Sequence, residues 1–231
     1  MHILIAPNAF KNSLDAAKVA EAINNGLQKS KLQCTTSCFP VADGGDGTAG
    51  LLIDHLNGEW IHTNVHDPLM RKINSSFGWI EKDKTAIIEL ATASGLRLLK
   101  PAEYDPITAT TFGTGELILK ALENNANKII LCVGGSATVD GGTGILGALG
   151  IKFFDAKGNV LNDLPAALSS LAEIDTTGID KRIKNARIII LCDVENPLLG
   201  SNGAATIFGP QKGASEKDVQ QLEAMLTNFN E

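Results

Sequence analysis

Four times in 231 residues the chain passes through a loop crowded with glycine at the edge of a helical repeat. Residues 41–48 read V-A-D-G-G-D-G-T, and related loops lie at residues 111–116, 134–144 and 209–213. Short apolar stretches lead into the first and third of them. Strand, loop and helix in alternation is the pattern of βαβ units, in which strands run parallel and crossover helices cover the sheet. Residues 3–6 read as a short buried strand. Ser13 is the expected cap of a helix in which Ala16, Ala20, Ile23 and Leu27 recur at helical spacing. Residues 39–42 close a second strand, residues 48–56 supply a second helix, and residues 61–65 read as a third strand.

The texture changes after Asp67-Pro68. Residues 72–80 and 85–90 alternate around Glu81-Lys82-Asp83-Lys84, the pattern of a hairpin. A helix at 115–125, a strand at 128–133, a helix at 141–149 and a strand at 187–192 follow. Residues 215–228 form an amphipathic helix with Val219, Leu222, Leu226 and Phe229 on one face. The expected fold class is therefore α/β, with a parallel-sheet unit over residues 1–66 and a second, mixed α/β unit over residues 67–231. Parallel sheets are normally covered on both faces. The first unit is too thin for that, so chain from outside it is expected to complete the layer.

Composition narrows the function classes. Hydrophobic content of 44% and charged content of 20% are those of a soluble globular enzyme. A net charge of −6 and a pI near 5.3 argue against a nucleic-acid binder, which needs a basic face. The apolar stretches are too short for a membrane span, and the start lacks the charged leader and apolar core of a signal peptide. The expected compartment is the cytoplasm. Cys34 and Cys38 have no second pair nearby, which argues against zinc, and Cys132 and Cys192 read as small core residues. His62 and His66 share a strand face and read as solvent-facing.

Glycines let backbone lie close to a ligand, and carboxylates among them can hold a cation or take a proton. Phosphoryl transfer needs amides or a lysine around phosphates, carboxylates for magnesium and a base for the acceptor hydroxyl. The candidates are Lys11 and Ser13 before the first helix, Asp43, Gly44, Gly45 and Asp46 after the second strand, and Gly134, Gly135, Ser136 and Thr138 after the strand at 128–133. Asp193 follows the strand at 187–192, and Lys212 sits among glycines. Each loop also has a structural reading as an Asp/Gly turn or a helix cap. Gly142-Thr143-Gly144-Ile145-Leu146-Gly147 matches a dinucleotide fingerprint but starts too far beyond its strand, and no Walker-type loop occurs.

The motifs A-P-N-A-F-K-N-S-L (6–14), P-V-A-D-G-G-D-G-T (40–48), A-S-G-L (93–96), T-T-F-G-T-G-E-L-I (110–118), G-G-S-A-T-V-D-G-G (134–142), C-D-V-E-N-P-L (192–198) and F-G-P-Q-K-G-A (208–214) occur in this order. In them the chain resembles the bacterial glycerate kinase family, the type without a Walker motif. The resemblance implies transfer of the ATP γ-phosphate to a hydroxyl of D-glycerate, more usually the 2-hydroxyl, with Mg²⁺. It implies a Rossmann- or flavodoxin-like domain, a second domain inserted into it and a site in the cleft between. A homodimer is compatible with it. Asp43, Asp46 and Asp193 would share magnesium binding and the role of base, with the base unassigned. Lys11 and Lys212 would neutralise charge. Ser13, Gly44, Gly45, Arg71, Thr114, Gly134, Gly135, Ser136 and Thr138 would contact phosphate or substrate.

The chain departs from the family pattern at several points. Asn8-Ala9 stands where Asp-Ser is usual, Asp46 where Glu is commoner, Val139 for Asn, and Met70 for Gly in the D-P-L-x-R turn. Relatives are expected to continue well beyond residue 231 and to finish the first sheet with their closing segment. Two other functions are compatible with the motifs: a nucleotide- or small-acid-binding module without catalysis, and a metal-dependent phosphatase.

Overall fold

The structure, a computed structural model, describes residues 1–10, 13–45 and 47–231. The expected ligands Lys11 and Asp46 lie outside the described residues. Strands β1 (His2–Ile5) and β2 (Thr35–Cys38) pair in parallel, with helix α1 (Ala16–Lys29) crossing between them. Helix α1 buries Ala16, Val19 and Ala20. Its cap is Asp15, whose carboxylate accepts from the Lys18 amide, and not Ser13. Ser13 instead belongs to a turn closed by hydrogen bonds to the Phe10 carbonyl. β2 ends before the expected 39–42 strand, although Phe39 and Val41 still donate to the Ile5 and Pro7 carbonyls.

Helix α2 (Thr48–Leu56) leads to β3 (Glu59–His66), β4 (Lys72–Ile80) and β5 (Thr85–Glu89). β3 pairs antiparallel with β4 along its whole length, from Glu59↔Trp79 to His66↔Lys72. It therefore joins a five-stranded sheet and does not extend the N-terminal parallel pair, which corrects the expected third strand of that unit. The reason is local. Asp67 accepts from the Leu69 and Arg71 amides, closing a tight turn that sends β4 straight back along β3. The expected boundary at residues 66/67 lies inside this hairpin. The β4–β5 hairpin matches expectation, with Lys84 at φ +48 in its turn.

Short helix α3 (Ala91–Ser94), helix α4 (Phe112–Glu123), β6 (Lys128–Cys132), helix α5 (Thr143–Ala148) and β7 (Lys152–Phe154) follow. β7 pairs with β8 (Glu173–Asp175) in a ribbon that no sequence pattern announces. The chain then runs through β9 (Arg187–Leu191), α6 (Ala204–Phe208) and α7 (Glu216–Asn230). The large sheet has the order β3-β4-β5-β6-β9, with β5, β6 and β9 parallel.

Successive strand side chains point to opposite faces, so the fully buried β5 run T-A-I-I-E must be covered twice. On one face Ala86, Ile88, Ile129 and Leu131 meet Leu117, Ile118, Ala121 and Leu122 of α4. On the other, Ile80, Ile87 and Cys132 meet Ala49 and Ile53 of α2. α2 thus lies on the large sheet, which brings Gly44 and Gly45 ahead of it to the ends of that sheet's strands. α7 buries Leu222, Met225 and Leu226 against Leu168 and Ala205, and a Ser215–Asp218 capping box starts it. None of the described helices is long and apolar enough to cross a membrane.

Candidate active site

The parallel strands β5, β6 and β9 end side by side, with Glu89 opposite Cys132 and Cys132 opposite Leu191. In open α/β sheets ligands bind outside these carboxyl ends. Two glycine loops meet there. The Gly134 amide, just beyond β6, donates to the Gly44 carbonyl at 3.1 Å. A side chain at Gly134 would place its Cβ 2.6 Å from the Gly45 Cα. Gly44 has φ +93, and a Cβ there would lie 2.6 Å from the Leu191 carbonyl oxygen. Glycine is needed at both positions because backbone meets backbone.

Asp43 stands at the start of the first loop. It accepts from the Gly45 amide at 3.0 Å and from the Asn8 carboxamide at 2.7 Å. The Gly45 hydrogen bond, with the Asn8 contact helping and partial burial opposing, holds its carboxyl below the ordinary value. It is a carboxylate at neutral pH. Asp193 emerges two residues after β9 with an exposed side chain. Its neighbour Cys192 is exposed too, with its thiol toward the Val194 carbonyl, which corrects its expected place in the core. The reason is that β9 ends one residue earlier than expected and forms the sheet edge.

A third carboxylate was not singled out from the sequence. Glu89, buried at the end of β5, accepts from the Ala49 amide in the first turn of α2 at 2.7 Å. A carboxylate suits the positive end of a helix, and here it fixes where that helix begins. Thr48 adds to this by donating to the Gly45 carbonyl and accepting from the Gly44 amide. The available signal was an acidic residue closing a wholly apolar strand ahead of A-S-G-L.

The third loop is tied down on its other side. Leu96 donates to the Gly135 carbonyl and Ala137 to the Ser94 carbonyl, so the 93–96 segment runs alongside residues 135–137. Lys212 donates to the Ser136 hydroxyl at 2.7 Å and to the Thr138 carbonyl at 2.5 Å. Its ammonium is buried, and the structure uses it as a tether of the loop. Desolvation pulls its pKa down to about 8, with Asp140 opposing. Between pH 8 and the ordinary value of 10.5 the folded state therefore binds fewer protons than the unfolded state, so stability rises with pH in that window. Relative to Lys212→Met, the wild type is expected to gain about 2–3 kcal/mol between pH 8 and pH 10. Urea unfolding of both proteins at the two pH values measures this. A flat difference removes the buried ammonium from the account.

Asp140 completes the frame. Buried, it accepts from the Thr111 amide and hydroxyl, the Gly142 amide and the Gly144 amide at 2.7–3.2 Å. Asp43, Gly44, Gly45, Gly134, Gly135, Ser136, Thr138 and Lys212 are thus linked in one run of contacts at the strand ends, and Asp193 follows the neighbouring strand. Two expected contacts are otherwise engaged. Thr114 is fully buried, and its hydroxyl lies 2.8 Å from that of Ser94, beneath the loop. Arg71 pairs with Asp67 and with Glu103, bracing the β3–β4 turn. His66, expected to face solvent, is half-buried with Nδ1 2.9 Å from Glu116; His62 is exposed. Among the described residues no group of three or more His, Cys, Asp or Glu is arranged to hold a metal.

A family model described as the glycerate kinase family matches residues 3–231. The glycerate 2-kinase of Escherichia coli (strain K12) is 47% identical over 231 residues, 100% of this chain and 61% of that protein. The glycerate kinase of Bacillus subtilis (strain 168) is 43% identical over 229 residues, 99% of this chain and 60% of that protein. A crystal structure of a Salmonella typhimurium LT2 protein, provisionally named glycerate kinase 2, superposes with a TM-score of 0.85 at 42% identity. It matches 99% of this chain, which covers 61% of that one. The chain spans about three fifths of the length of these relatives. Matched by the family model over nearly its whole length, it belongs to the glycerate kinase family.

Proposed function

We propose that the chain carries the phosphate-binding part of a glycerate kinase, which transfers the γ-phosphate of ATP to a hydroxyl of D-glycerate, with 2-phosphoglycerate the favoured product. The observation that carries this reading is the meeting of two glycine loops at the ends of three parallel strands, with Asp43 on one of them. Amides at such a place suit phosphate oxygens. The β1–β2 layer and the five-stranded sheet would form the two walls of the crevice.

Magnesium fits the donor set. Asp43 and Asp193 are hard oxygen donors at an open mouth, and Mg²⁺ takes one or two carboxylates while substrate phosphates and water supply the rest. When bound, it would neutralise charge on the transferring phosphoryl group. Of the chain's own groups, Asp43 or Asp193 would accept the proton of the glycerate hydroxyl as its oxygen bonds to phosphorus and ADP leaves. The Gly44–Gly45 and Gly134–Gly135 backbone would orient the phosphates, and Lys212 would keep the second of these loops in place. Lys11 and Asp46, by the family resemblance, would add a cation and a further magnesium ligand. Ser13 would serve at the mouth. Arg71 and Thr114 would contribute through the turn and loop they brace.

Incubation with Mg-ATP and D-glycerate, with ADP followed and the product resolved by phosphorus NMR, tests this directly. ADP formation that depends on D-glycerate, with a 2-phosphoglycerate resonance, is the expected outcome. A second reading that the glycine loops also allow is nucleotide binding without turnover. Calorimetric binding of ATP with no ADP formed would select it.

A further inference from the structure

One cavity has no part in the reaction as described. It encloses about 610 Å³, a volume typical of small-molecule sites. Met70 of the β3–β4 turn, Phe112 at the start of α4, Gly147 of α5, Phe153 of β7, Val160 and Asn162 line it. Among the described residues, Lys152 is the one cation in its wall. That lining argues against two occupants. A triphosphate needs several cations or amides around it. Glycerate is a small, wholly polar anion and would leave an apolar space of this size unfilled.

A flat heteroaromatic ring with a polar edge suits it better. Aromatic and thioether side chains bury ring faces. The Asn162 carboxamide presents a donor and an acceptor in one plane, and the neighbouring Asp163 carboxylate can accept from sugar hydroxyls. Position completes the argument. Thr143 and Gly144 line the cavity, and both are bonded to Asp140, which closes the loop that begins with Gly134 at the strand ends. A nucleoside seated here would direct its phosphates along that loop.

We propose that this cavity is the subsite for the purine nucleoside of the phosphate donor, the adenosine of ATP, an assignment that rests on the kinase reading above. Gly147 gives a clean test. A Cβ there meets no atom within 4 Å, so Gly147→Phe puts a ring into the cavity without displacing backbone, and Gly147→Ala is its control. Val160→Trp, from the exposed rim, is a second way of filling it. Calorimetry on the whole chain would use adenosine, ATP and tripolyphosphate as separate probes. The wild type and Gly147→Ala should bind all three. Gly147→Phe and Val160→Trp should weaken adenosine and ATP by at least about tenfold and leave tripolyphosphate unchanged. Unchanged ATP affinity in either folded variant overturns the subsite, as does a rise in KM for D-glycerate alone. If those variants bind ATP and phosphorylate glycerate normally, only the subsite falls. If the wild type binds neither ATP nor adenosine, the kinase reading falls with it.

Discussion

Asp43→Asn is expected to leave the fold intact and to lower kcat by about a hundred- to ten-thousand-fold, the range in which removal of a positioned acid or base usually falls. The substitution is nearly isosteric, and its carbonyl oxygen can still accept from the Gly45 amide as Asp43 does at 3.0 Å. What it removes is charge, together with the acceptor of the Asn8 carboxamide, and that charge is secured in the native loop because the Gly45 and Asn8 hydrogen bonds keep the carboxyl ionised. A role confined to shaping the turn would give a kcat within a few-fold of wild type together with a loss of stability. Asp193→Asn makes a sharper contrast, because its exposed side chain contributes little to the fold. A large fall in kcat there, with an unchanged melting temperature, would be a loss of chemistry alone. If both aspartates serve one ion, the double variant should be little worse than either single one. Steady-state kinetics with Mg-ATP and D-glycerate, beside thermal melts, separate these outcomes; near-normal turnover in either variant takes that residue out of the mechanism.

The sequence showed the second unit more clearly than the first for a physical reason. β5 and β6 are short apolar runs, and such runs have few alternatives to a buried strand, while β9 reads the same way although it forms the sheet edge with Ile188 and Ile190 exposed. β3 is different. Its polar E-W-I-H-T-N-V-H run is compatible with either neighbouring sheet, and only the turn at Asp67 decides which. The loops were legible because backbone-to-backbone contact demands glycine, as at Gly44 and Gly134. The work of individual polar side chains was not. Glu89, Thr114 and Lys212 all look like available functional groups in a linear sequence. Their partners lie 40, 20 and 76 residues away and become visible only once the chain is folded. Asp140 was masked in the same way by the G-G-x-x-x-x-D-G-G loop around it.

Asp140→Ala is expected to be the most destabilising single substitution in the site, at about 3–5 kcal/mol, the cost of breaking a buried charged network by removing one partner. The carboxylate collects the Thr111 amide and hydroxyl with the amides of Gly142 and Gly144, joining the start of α4 to the start of α5. Alanine leaves the buried Thr111 and Gly144 amides without an acceptor, and each such orphan costs about 1–3 kcal/mol. For a chain of this length the melting temperature should fall by roughly 10 °C. Thr111→Val removes a hydroxyl that donates to Asp140 and accepts from the Ile145 amide at 3.0 Å, and should cost about 2 kcal/mol. The double variant should cost less than the sum of the two, since they share one hydrogen bond, and more than Asp140→Ala alone, since the Ile145 amide also loses its acceptor. The consequence reaches Lys212 as well. Asp140 is the charge that opposes its desolvation, so without it the ammonium pKa should drop below about 8 and Lys212 should lose its proton at lower pH. Thermal melts and a pH titration of the Lys212 Nζ by NMR in the two proteins check both halves. An unshifted lysine in a folded Asp140→Ala protein would mean that the aspartate orders the loop through its hydrogen bonds alone.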